Sequence, residues 1–170
     1  MQKPEYFKIS RDILEPLTCN ILNNLYAKRI DKIEYKFRCS TKNEDAQEKI
    51  DVIGTVKDGP DKYHTARVQV KTIAKSTNVF WIKSEEELNN NNGYVYFEKP
   101  IDINWLNNSE LAKKDLIGTK VYLVSTTYLK SIWKLFRYTG YQYLIDDNKY
   151  IAENKNIKEV YTHIIKESDF

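Results

Sequence analysis

Apolar residues near the start of the chain recur at helical spacing: Ile13, Leu14, Leu17, Ile21, Leu22 and Leu25 share one side of a 3.6-residue period. The spacing predicts a helix over Asp12–Ala27. Pro16 fits only within a first turn, which argues for a start near Asp12 rather than Tyr6. The pattern then changes to alternation. Ile33, Tyr35, Phe37 and Cys39 are interleaved with Glu34, Lys36 and Arg38, which predicts a half-buried strand over Lys32–Cys39. Ser40–Lys49 is polar and reads as a loop or a short helical turn. Ile50–Lys57 and Thr65–Ile73 are β-branched runs flanking Asp58-Gly59-Pro60-Asp61, a strong turn signal, so together they predict a hairpin. Ala66, Val68 and Val70 fall on one side of its second strand.

Further strands are expected over Asn78–Lys83 and Tyr94–Glu98, joined by a polar loop, Ser84–Gly93, in which the Asn89–Asn92 run reads as flexible. Trp105–Leu116 predicts a helix and Lys120–Val124 a strand. Ser125 or Thr126 would cap a helix reaching Tyr138, with Leu129, Ile132, Trp133 and Phe136 inward and Gly140 at its end. Ile157, Val160, Tyr161, Ile164 and Ile165 predict a last helix. Helices and strands alternate without repeat or linker, so the chain reads as one α/β domain, residues 1–170, with a mixed central sheet flanked by helices.

The central hairpin concentrates the candidate chemistry. If its loop is centred near Asp61, opposed residues sum to about 122, so that Asp51 faces Lys71 and Ile53 faces Gln69. Gln69 and Lys71, two apart, project to the same face. A carboxylate, an amide and an ammonium would then share one face, provided the register does not slip by one residue. Ile53 and Ile73 would flank the cluster.

Asp51, followed after 17 residues by Gln69-Val70-Lys71 and then Thr72, resembles the D…(D/E/Q)xK signature of the PD-(D/E)xK nuclease superfamily, in its QxK form. The likeness covers Ile50–Ile73, and the preceding helix and strand agree with the same helix–strand–strand–strand order. It implies a restriction-endonuclease-like fold and a Mg²⁺- or Mn²⁺-dependent endonuclease hydrolysing phosphodiester bonds in nucleic acid, with double-stranded DNA as the expected substrate. It implies Asp51, Gln69 and the Val70 carbonyl as metal ligands, and Lys71 as the group that orients water or stabilises the phosphate. Glu15, in the first helix, is the candidate second carboxylate, with Glu34 and Glu48 as alternatives. Two departures stand out: Ile50 occupies the position of the proline, and Gln69 removes one negative charge from the site.

Charge adds a second surface. The net charge is only +3, but Gly118–Ile145 contains no acidic residue and carries Lys120, Lys130, Lys134 and Arg137. Lys130, Lys134 and Arg137 fall on one helix face, which is either a phosphate-tracking face or an ordinary solvated one. Arg67, with Lys62 and His64, would be a further contact at the hairpin tip. His64 and His163 lack metal-ligand spacing, as do Cys19 and Cys39, which read as buried free thiols. No nucleotide-binding glycine loop occurs. No stretch approaches the ~18 apolar residues of a membrane span, and MQKPEYFKIS lacks a signal-like apolar run, so a cytoplasmic location is expected. Two functions stay open: a nuclease, acting as a homodimer if it cuts both strands, or an inactive nuclease fold binding nucleic acid or a protein partner.

Overall fold

The computed structural model describes residues 4–27, 33–41, 50–58, 63–72, 79–83, 85–130, 142–144 and 160–170. Its centre is a mixed six-stranded sheet. The strands are β1 (Ile33–Cys39), β2 (Val52–Asp58), β3 (Tyr63–Thr72), β5 (Gly93–Phe97), β6 (Lys120–Ser125) and β8 (Val160–Ile164), in the order β1-β2-β3-β5-β6-β8. β3 and β5 run parallel, and every other neighbouring pair is antiparallel. β4 (Val79–Trp81) and β7 (Gln142–Leu144) form a separate two-stranded sheet.

The alternation of side chains gives the sheet two apolar faces. Val52, Val68, Val70, Val95, Phe97 and Val121 pack with Leu14, Leu17, Ile21 and Leu22 of the N-terminal helices and with Ala112 and Leu116 of α4 (Ser109–Leu116). Tyr94, Tyr96, Tyr122 and Val124 face the opposite way, against Ile82, Leu88 of α3 (Glu85–Asn90) and Leu129 of the helical residues 126–130, α5. The sheet is therefore covered on both sides. No helix among the described residues is long and apolar enough to cross a membrane.

Several expectations change. The N-terminal helix starts well before Asp12: α1 (Pro4–Ile9) runs through a π-turn (Ser10–Leu14) into α2 (Glu15–Ala27). The Glu15 N–H reaches back five residues to the Ser10 carbonyl. Pro16 has no N–H and its ring crowds the carbonyl four residues back, so the widened turn just before it absorbs the misfit that sequence alone reads as a start. The expected helix over Trp105–Leu116 is split into a 3₁₀ turn (Ile103–Trp105) and α4, which Asn108 caps by accepting from the Leu111 N–H. The expected last helix is instead β8, an edge strand paired to β6. Val160 and Ile164, four apart, share a face under either period, and the open edge of β6 decides between them. The polar loop Ser84–Gly93 holds α3, with Glu87, Leu88 and Asn91 buried, so the asparagine run is not a free loop. Ser125, not Thr126, caps α5, accepting from the Tyr128 N–H. Ile73, Ile132, Trp133 and Phe136 lie outside the described residues.

Gly54 lies opposite Phe37 in the β1–β2 pair, and the ring covers the space a side chain would take. A Cβ there would stand 2.6 Å from Phe37 Cδ1. Gly54→Ala should destabilise the protein by about 1–3 kcal/mol in urea unfolding, with part of the loss restored by adding Phe37→Leu.

The C-terminal turn is tied to α2 by one buried carboxylate. Asp169 Oδ2 lies 2.8 Å from His163 Nε2 and accepts from the Lys166 N–H at 2.8 Å, while Asn24 Nδ2 donates to Oδ1 at 3.4 Å. Burial pushes the Asp169 carboxyl up, but these donors together bring it below its ordinary value. A carboxylate lowered on folding contributes stability above its unfolded pKa of about 4, and that contribution disappears as pH falls through the folded value. Asp169→Asn should therefore lower the urea midpoint at about pH 6, and the difference from wild type should shrink below about pH 4.

Candidate active site

β2 and β3 are antiparallel, as expected, but their register differs. Val52 faces Val68 and Ile53 faces Arg67, so opposed numbers sum to 120 rather than 122, and Asp51 is not opposite Lys71. The shift is two residues, which preserves the face of every side chain. The loop is thus centred one position earlier than the turn signal suggests.

Asp51 lies just before β2. Its N–H bonds the carbonyl of Val68, the residue that already faces Val52, so two residues of one strand oppose one of the other. Such a bulge re-aims a side chain. The Asp51 carboxylate turns toward β3, and Oδ2 accepts from the Val70 N–H at 2.8 Å. It replaces the backbone partner that Val70 loses where β2 ends. The carboxylate is buried, at 8% exposure, and held by a main-chain donor between Gln69 and Lys71.

Gln69 and Lys71 point to the tyrosine face, level with Tyr94 and Tyr96 across the parallel pair. Lys71 is buried and meets Glu87 of α3, with Nζ 3.1 Å from Oε1 and 3.3 Å from Oε2. Glu87 is held in turn: Tyr94 donates its hydroxyl to Oε1 at 3.2 Å, and Asn91 Nδ2 donates to the Glu87 carbonyl at 2.8 Å. Burial pushes the Lys71 ammonium below its ordinary value, while Glu87 and Asp51 pull the other way. A lysine so placed gives up a proton more readily than an exposed one. Gln69 Oε1 is buried and has no hydrogen-bond partner among the described residues. An orphaned buried acceptor normally costs about 1–3 kcal/mol, which makes its persistence informative.

Glu15, the expected second carboxylate, is buried at the start of α2. It acts, as Asp51 does, on the Cys39 thiol, which burial raises first and the two carboxylates raise further. Its helix, α2, packs on the sheet face opposite the tyrosines. The Glu34 side chain and Glu48 lie outside what is described. No group of three His, Cys, Asp or Glu side chains suited to a metal occurs among the described residues.

Arg67 and Lys130 are exposed, on β3 and at the end of the described part of α5. Lys134, Arg137, Lys62 and the His64 side chain lie outside the described residues. Cys39 is exposed rather than buried, and its sulfur stands 3.6 Å from that of buried Cys19.

Glu87 and Tyr94 are the members that sequence reasoning missed. The signal was present: Ser84-Glu85-Glu86-Glu87 has the S-x-x-E pattern of a helix start, followed by Leu88. The adjoining asparagine run masked it.

Removing one partner of the buried pair strands the other charge. Lys71→Met should destabilise by about 3–5 kcal/mol in urea unfolding, and Lys71→Met with Glu87→Leu should recover most of that loss. Compared with models of known families, with characterised proteins and with solved structures, the chain matches none, so the site is read from its own residues.

Proposed function

We propose that this protein is a metal-dependent endonuclease with a restriction-endonuclease-like core, hydrolysing phosphodiester bonds in DNA. The observation that carries the reading is Gln69 Oε1, a buried oxygen with no donor among the described residues, on the strand that also bears Lys71 and whose Val70 N–H holds the Asp51 carboxylate. The described order of helix, three antiparallel strands and flanking helices supports the same reading.

The donor chemistry suits a hard divalent cation such as Mg²⁺ or Mn²⁺. Asp51 and Gln69 would hold it. The Val70 carbonyl is the third donor, since an extended residue directs its N–H and C=O to the same strand edge and the N–H already meets Asp51. When bound, the ion supplies charge neutralisation at the phosphate and a more acidic water. Lys71 stabilises negative charge developing on the phosphate or orients the attacking water. Glu87 fixes the Lys71 ammonium, and Glu15 adds negative charge from the opposite side. Arg67 and Lys130, with Lys134 and Arg137, would contact the phosphate backbone. A homodimer would bring two such sites to the two strands.

A second reading has its own support. Glu87 already pairs with Lys71, and Gln69 leaves the motif one carboxylate short, as in a fold that binds nucleic acid or a protein partner without cutting.

Nicking of supercoiled plasmid in Mg²⁺ or Mn²⁺ separates the two. Wild type should nick, a chelator should abolish nicking, and Asp51→Asn or Gln69→Ala should lower the rate about 10²-fold or more. Mn²⁺ should also raise the melting temperature of wild type but not of Asp51→Asn. Equal nicking by all three proteins refutes the site; DNA retention in a gel without nicking selects the binding reading.

A further inference from the structure

The seam between α2 and β1 carries the chain's two cysteines, and the site described above uses neither. Cys19 and Cys39 are 20 positions apart, yet their sulfurs lie 3.6 Å from each other. The approach is built by both elements. Asn23, one helical turn after Cys19, clasps the backbone of Phe37: the Phe37 N–H donates to Asn23 Oδ1 at 2.8 Å and Asn23 Nδ2 donates to the Phe37 carbonyl at 3.2 Å. Residues four apart on a helix share a face, as do residues two apart on a strand. The clasp at Asn23 and Phe37 therefore sets Cys19 against Cys39. Cys39 is exposed and open to a reagent, whereas Cys19 is buried behind it. An accessible thiol with a second thiol in contact beneath it has the arrangement that an attacking and resolving pair requires.

We infer that Cys19 and Cys39 form a reversible intramolecular disulfide, driven by a low-molecular-weight disulfide, that staples α2 to the edge strand β1. The Cys39 sulfur, having lost its proton, displaces one thiolate from the small disulfide and becomes a mixed disulfide. The Cys19 sulfur, also deprotonated, then attacks Cys39 and displaces the second thiolate. The two protein thiols are oxidised, the small disulfide is reduced to two thiols, and the two protons released by the protein pass to the departing thiolates. Closure needs the sulfurs to approach to roughly 2.05 Å, a movement within reach of side-chain rotation.

The staple lies next to both site carboxylates. Glu15 is one turn before Cys19 on α2, and the N–H of Ser40, the residue after Cys39, bonds the Asp51 carbonyl at 2.9 Å. Oxidation would fix the helix that carries Glu15 to the strand that borders Asp51. The inference is independent of the nuclease reading, because its test reads sulfur chemistry and stability rather than cleavage.

The protein is incubated with oxidised glutathione, then followed by thiol titration, intact mass, non-reducing electrophoresis and thermal melting. The expected result is loss of both titratable thiols, a monomer lighter by two hydrogens, and a melting temperature raised by about 5–10 °C that a reductant reverses. Cys19→Ser should stop at one glutathione on Cys39. Persistence of both thiols, glutathione on both cysteines or covalent dimers would overturn the inference. A disulfide that leaves the melting temperature unchanged would overturn the staple. Because Cys19 is buried, Cys39→Ser serves as the second control, and its melting temperature should not respond to oxidised glutathione.

Discussion

Parallel strands cannot be joined by a tight turn, and that constraint governs the centre of this molecule. β3 and β5 are parallel neighbours, so the chain leaving Thr72 must cross the sheet before it returns at Gly93. The crossing segment carries α3, which lands on the tyrosine face and sets Glu87 against Lys71. The same pairing places Tyr94 level with Gln69, within reach of Glu87. The charged centre is thus a product of sheet topology, not of one local motif.

Burial at this centre works in two directions. Two charges taken out of water repay their desolvation only with good geometry and further hydrogen bonds. Glu87 has such support from Tyr94 and is almost fully enclosed. The Asp51 carboxylate is held differently, by a main-chain N–H at a point where the ladder fails. One carboxylate therefore steadies a cation and the other repairs a backbone. Gln69 Oε1 has neither task and no hydrogen-bond partner among the described residues.

Much of the frame could be read in the residues. Alternation at Phe37 and the shared side of Val68 and Val70 marked those strands correctly, because these side chains do line one buried face. Register was less legible: the D-G-P-D turn signal locates a loop but not its centre, and an error of two leaves every face intact, so no apolar position protests. Glu87 was hidden by the polar asparagines around it, since composition cannot show that a crossing must be helical. The β8 segment was misread because its apolar spacing satisfies two periods, and only the unpaired side of β6 chooses. The contact of Cys19 with Cys39 depends on how a helix packs on a strand, which no spacing rule encodes.

The π-turn before Pro16 has a consequence for chain length. Ile9 and Leu14 are both buried although five apart, a separation that a regular α-helix, advancing about 100° per residue, would split between two faces. The extra residue in the turn is thus a phase correction joining two helical halves that otherwise face different ways. Deleting one residue of Ser10–Leu14 would leave Ile9 and Leu14 four apart, about 40° from one another on a regular α-helix, so α1 would keep its face and its Lys8 contact to Asn107; the turn absorbs an inserted residue without turning either half.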